Sequence, residues 1–150
     1  MSYKDLAGRT FIVTGAASGM GKATSKLLAE QGANVGIFDL QTPTETAQEI
    51  EAEGGHVLAL ACNVQSKKQV DDAVKQVVKH FGGLNGIPRT AVDSKAIAKT
   101  DIGAANMAGI AATSRTAMGN FPMSTLDDAD WDEIMKTNLD GVKNCLRAQL

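Results

Sequence analysis

The strongest constraint in the sequence is a short apolar, β-branched run, Thr10-Phe11-Ile12-Val13-Thr14, which ends on Gly15 and is soon followed by Gly19 and Gly21. Residues of that kind fill a buried strand, and a glycine placed directly after it permits a turn too sharp for a side chain. From Gly19 to Gln31 the apolar positions Ala23, Leu27 and Leu28 recur at helical spacing, and Gly32 stands where a helix would stop. The stretch therefore predicts strand, tight turn and helix in unbroken succession.

The same rhythm continues along the chain. Asn34 to Leu40, with Val35, Ile37 and Phe38, predicts a second strand, and Pro43 to Glu53 a second helix closed by Gly54-Gly55. His56 to Ala61 supplies a third strand. Ser66-Lys67-Lys68-Gln69 has capping-box spacing and opens a helix whose core face is Val70, Val74, Val77, Val78 and Phe81. Strands that alternate with helices imply right-handed crossovers and a parallel sheet covered on both faces. The expected fold is α/β, a Rossmann-type doubly wound parallel sheet, incomplete, with about four strands in the order 3-2-1-4 and one domain over residues 1–150. After Gly82-Gly83 the regularity breaks. Pro88 to Asp101 reads as an insertion, with a short helix favoured over Ala91 to Lys99, before a fourth strand at Ile102 to Met107. Ala129 to Leu150 predicts one long helix with Ile134, Met135, Leu139, Val142 and Leu146 on its apolar face and Asp127, Asp128 and Asp130 near its N-terminus.

Composition excludes several classes of function. Fifteen basic residues against seventeen acidic give a net charge of -2, without the one-sided basic field that binding to a phosphate backbone requires, so no nucleic acid partner is expected. The polar start Met1-Ser2-Tyr3-Lys4-Asp5 and the lack of any run near the ~20 apolar residues of a membrane span point to a cytoplasmic chain with no membrane partner. Cys62 and Cys145 lack CxxC spacing, and with only His56 and His80 beside them no metal site is expected.

The position of the glycines gives them meaning. Gly15 allows the turn, Gly19 lets backbone come close to a pyrophosphate, and Gly21 permits tight packing of helix on strand, while the helix N-terminus faces the anion. A glycine-rich turn in a ligand-free α/β protein is the alternative. Asp39, at the end of the second strand and eighteen positions after Gly21, is near the ~20-residue offset of an acid that hydrogen-bonds the adenosine ribose. The other reading is a solvated turn aspartate. Facing a ribose, Asp39 would repel a 2′-phosphate, and neither Ser18 nor Leu40 offers positive charge, so NAD is expected in preference to NADP. Asn63 suits either the adenine amino group or an ordinary Asx-turn.

With Thr14-Gly-x3-Gly-x-Gly21, Asp39, Cys62-Asn63-Val64 and Asn106-Met107-Ala108-Gly109 in order, the chain resembles the N-terminal half of the short-chain dehydrogenases/reductases. Asn63-Val64 varies that family's Asp-Val, and Met107 replaces the second asparagine of its Asn-Asn-Ala-Gly. The resemblance implies cofactor contacts from Gly15, Ser18, Gly19, Met20, Gly21, Asp39, Leu40, Asn63, Val64, Asn106, Ala108 and Gly109. Trp131 to Gly141 resembles the family's long helix, which implies that Asn138 is the catalytic asparagine, a polar residue buried to hold a water and kink the helix. Its plainer reading is an asparagine bonding its own helix backbone.

The family's serine and Tyr-x-x-x-Lys have no counterpart. Tyr3 is the only tyrosine, and Ser94-Lys95 is preceded at the required spacing by Ala91, which has no proton to give. The chain is therefore expected to be truncated before that part of the active site, inactive alone, and prone to self-association through an uncovered fourth strand. Three functional readings stay open: part of an NAD-dependent oxidoreductase acting on a small alcohol or ketone, a catalytically silent NAD-binding or interaction module, and a non-redox enzyme on the same fold, for which only the dispersed Asp101, Arg115 and Asp128 offer themselves.

Overall fold

A computed structural model of the chain describes residues 6–82, 103–106, 108–109 and 128–149. Four strands, β1 (Thr10–Thr14), β2 (Asn34–Asp39), β3 (His56–Ala61) and β4 (Gly103–Asn106), form one parallel sheet in the order β3-β2-β1-β4. Helices α1 (Gly19–Glu30), α2 (Thr44–Ala52) and α3 (Lys67–His80) connect the strands. The expected fold class and strand order are those observed. The proposed insertion, its short helix and Tyr3 lie outside the described residues.

Period-two alternation in the strands builds a core on each side of the sheet. Val13, Val35 and Ile37 pack with Ala29, Ala47 and Ile50 of α1 and α2. Ile12 and Phe38 point the other way and pack with Val70, Val74 and Val77 of α3. The Ser66 hydroxyl accepts the Gln69 N–H as expected, but the Gln69 side chain takes the Asn63 N–H instead of closing the reciprocal half of the capping box.

Two helices present faces other than those their sequence periodicity predicts. In α1 the buried residues are Gly21, Ser25 and Ala29, whereas Ala23 and Leu27 are exposed. The stripe facing the sheet is made of small residues because the helix sits close to it, and Ser25 satisfies its buried hydroxyl on the Gly21 carbonyl at 2.8 Å. The long C-terminal helix is not continuous: α4 (Asp128–Met135) passes into a π turn (Lys136–Gly141) and then α5 (Val142–Gln149). One extra residue in a turn rotates all that follows by about 100°. Leu139 and Leu146 are therefore carried outward, and Thr137, Gly141, Asn144 and Cys145 are buried in their place.

Gly36 lies at a close contact between the sheet and α3. A Cβ built there would stand 2.6 Å from Val77 Cγ2. Gly36→Ala is expected to cost about 1–3 kcal/mol through overpacking, read as a lower urea midpoint, with Val77→Ala recovering part of the loss in the double variant. An unchanged midpoint in the single variant would contradict this packing.

Candidate functional site

Strand register brings the chemistry to one edge. Thr14 pairs with Phe38 and with Asn106, and Asp39 with Ala61, so the loops after all four strands emerge together at their carboxyl ends. The chain leaves β1 towards β2 on one side and β4 lies on the other, which makes this edge the topological switch point where open α/β sheets bind ligands.

The glycine loop is held from several directions. Gly15 and Gly19 have φ of 69° and 55°, a region side chains rarely adopt. A Cβ on Gly21 would lie 2.0 Å from the Gly15 carbonyl oxygen, so only glycine lets α1 begin this close to the turn. The Ala16 N–H donates to the Phe38 carbonyl, and the buried Thr46 hydroxyl of α2 donates to the Ala16 carbonyl at 2.8 Å. Nothing in the sequence marked Thr46, since a threonine in the first turn of a helix is ordinary.

The start of α1 is bare. Ser18 occupies the N-cap in an extended conformation but makes no side-chain cap bond, and no acid stands in the first turn. By contrast, α2 has Glu45 in its first turn, α3 has the Ser66 cap, and α4 has Asp128 and Asp130. A Cβ on Gly19 would meet nothing within 4 Å. Together these leave uncompensated N–H groups and open space at the positive end of a helix dipole, which is what an anion requires.

Asp39 faces this loop. Its Oδ2 accepts the Ala17 N–H at 2.9 Å and its Oδ1 the Leu40 N–H at 2.8 Å, which fixes the carboxylate at the end of β2 with a lone pair on each oxygen still available. Beside it Leu40 is 68% exposed, and Met20 at the loop is 74% exposed, so two large apolar side chains flank the groove with nothing covering them. Lys22, the residue after Gly21, is engaged by Glu45 and Glu49 of α2, both at 2.9 Å, and those hydrogen bonds raise its pKa.

On the far side, the Asn63 Oδ1 accepts the Gln65 N–H at 3.0 Å, an Asx-turn, which was one of its two open readings. The Thr14 hydroxyl accepts the Ala108 N–H at 3.2 Å and so ties the segment after β4 to the end of β1. Asn106 is half-buried, and its Oδ1 is buried without a hydrogen-bond partner among the described residues. An orphaned acceptor of this kind normally costs about 1–3 kcal/mol unless a ligand or water meets it. Asn138 lies in the π turn and abuts Gly109, where a Cβ would meet its Oδ1 at 3.2 Å. It is exposed, not buried as expected, because the π turn swings it away from the packed face.

Cys62 and Cys145 pack in the core on the α3 side of the sheet, and burial pushes each thiol up to about 11, with Cys62 adding to the effect on Cys145. No group of three or more metal-ligating side chains occurs among the described residues, and no described helix is long and apolar enough to cross a membrane.

The uncapped helix start, the space over Gly19 and the orphaned Asn106 acceptor lie along one edge of the sheet, where a bound group could meet all three. The chain is 31% identical over 97% of its length to the short-chain dehydrogenase/reductase ABA4 of Pyricularia oryzae, and 34% identical over 95% to chanoclavine-I dehydrogenase of Penicillium roqueforti. It superposes on the crystal structure of a short chain dehydrogenase from Mycobacterium smegmatis with a TM-score of 0.76 at 27% identity, covering 98% of this chain and 53% of that one. It spans about half the length of the curated relatives it matches, 48% and 49% for these two. The short chain dehydrogenase family model matches residues 9–150, and the chain belongs to that family.

Proposed function

We propose that this chain is the cofactor-binding part of an oxidoreductase that uses NAD(H) on a small alcohol or ketone. The observation that carries this reading is the bare N-terminus of α1 with Asp39 fixed beside it on the Ala17 N–H. In this reading the N–H groups from Gly19 to Gly21 and the Ser18 hydroxyl hold the pyrophosphate, and Asp39 accepts the adenosine ribose hydroxyls. Leu40, Asn63 and Val64 border the adenine, Met20 borders the pyrophosphate, and Asn106, Ala108 and Gly109 lie towards the nicotinamide-side ribose. The bound nicotinamide would supply the hydride acceptor or donor. Asn138, against Gly109, would hold a water or proton donor near it.

The preference for NAD over NADP has two supports. A 2′-phosphate would meet the Asp39 carboxylate, and Lys22, which follows directly on the glycine loop, is already engaged by Glu45 and Glu49. NADH is expected to bind at least ~10-fold more tightly than NADPH in a fluorescence titration, Asp39→Ala should weaken NADH ~10-fold and narrow the gap, and Gly19→Val should abolish binding in a folded protein. Equal or tighter binding of NADPH would overturn the ribose assignment, and unchanged affinity in Gly19→Val would overturn the site.

Self-association with a second copy is expected as well, because the π turn leaves Leu139 and Leu146 57% and 47% exposed, and Trp131 of α4 is 44% exposed. The 150-residue chain is expected to sediment above its 15.7 kDa at micromolar concentrations and to bind NADH without reducing NAD on a panel of secondary alcohols. A monomer with measurable turnover would contradict both expectations.

A further inference from the structure

Helices α1 and α2 are joined by a row of alternating charges. The Lys22 ammonium lies 2.9 Å from Glu45 Oε1 and 2.9 Å from Glu49 Oε1. Lys26, one turn further along α1, lies 3.1 Å from Glu49 Oε2 and 3.2 Å from Glu53 Oε1. The two carboxylates do not hold Lys22 equally. Glu45 reaches in from the first turn of α2 with its side chain 81% exposed, where a single ion pair adds little. Glu49 is 36% exposed and is fixed from two sides, with one lysine on each of its oxygens.

The row of charges ends beside Asp39. Thr46, next to Glu45, is bonded to the Ala16 carbonyl, and the amide of the following residue, Ala17, is bonded to Asp39. The Lys22 N–H donates to the Ser18 carbonyl, so Lys22 stands one turn above Ser18 on the same side of α1. Helical side chains lean towards the N-terminus of their helix, and a lysine here covers the turn that begins at Ser18 unless something draws it aside. Ser18 and Leu40, the chain neighbours of Ala17 and Asp39, carry no charge. Lys22 is therefore placed to serve an anion added at the Asp39 end of the groove, and α2 draws it away.

We infer that Glu45 and Glu49 are specificity-determining residues: by holding Lys22 against α2 they withhold the cation that a phosphate on the adenosine 2′-oxygen needs, and Glu49 does most of the holding. The inference rests on the dinucleotide reading above. It adds to the repulsion by Asp39 a second device, which acts by keeping attraction out of reach. The ligand rejected is a dinucleotide with a phosphate monoester at the ribose 2′ position. A lysine released from both carboxylates would meet that phosphate with a charge-assisted hydrogen bond.

The test titrates the full chain with NADH and with NADPH in wild type, Glu45→Gln, Glu49→Gln, the double variant, and the double variant with Lys22→Met added. Gln keeps the shape of each side chain and removes its charge. NADPH affinity should rise ~10-fold in the double variant, with Glu49→Gln giving more of the gain than Glu45→Gln, while NADH affinity stays within about twofold. Adding Lys22→Met should return NADPH affinity to the wild-type value. The loss of two negative charges also favours any anion from a distance, but that effect would raise both dinucleotides and would survive Lys22→Met. A gain that survives Lys22→Met, a gain shared equally by NADH, or no gain in the double variant would overturn the inference. Weaker NADPH binding in Lys22→Met alone would overturn it too, because Lys22 would then reach the phosphate while still paired. A wild type that binds neither dinucleotide would instead overturn the dinucleotide reading itself.

Discussion

The arrangement depends on how closely α1 approaches the end of β1. Gly21 takes the helix to within a distance of the Gly15 carbonyl that no side chain could share, and every neighbouring feature follows from that approach. The loop must turn through positive φ at Gly15 and Gly19, the helix begins with an N-cap serine that does not cap, and the dipole end opens towards Asp39. A helix end without compensation is a local cost of unsatisfied N–H groups, tolerated where an anion is to be bound. The fold offsets it nearby, with Thr46 on the Ala16 carbonyl and the Phe38 carbonyl on the Ala16 amide.

A second constraint acts at the other half of the same edge. The π turn between α4 and α5 changes which residues face the protein, exchanging leucines for Thr137, Gly141 and Asn144. A small and polar face can do what an apolar one cannot: it approaches the turn after β3 and hydrogen-bonds its backbone. The same extra residue brings Asn138 against Gly109 and leaves it exposed, so that contact and the clamp on the turn after β3 arise from one local irregularity.

Much of this was legible in the sequence because it rests on periodicity and glycine. The strands, the strand order, the Ser66 cap and the places of the three glycines follow from patterns that tertiary context does not alter. The α1 face is not legible because its stripe of Gly21, Ser25 and Ala29 carries little hydrophobic signal, while the conspicuous Leu27 is exposed. The faces of the long helix are not legible because a regular 3.6-residue period does not hold through residues 136–141, where one extra residue shifts the phase. Thr46, Gln65 and Asn144 were invisible for a common reason: each is an ordinary polar residue whose role exists only through a carbonyl or hydroxyl brought near by the fold.

The central claim is that one groove, at the carboxyl ends of the strands, holds a dinucleotide across β2, β1 and β4. Backbone amide shifts followed during titration with NADH test it most directly. The account predicts large changes at Ala17 to Lys22, Asp39 to Leu40, Asn63 to Gln65 and Ala108 to Gly109, with α2 and the outer face of α3 nearly silent. Changes centred elsewhere, or confined to one end of this groove at saturation, would contradict it.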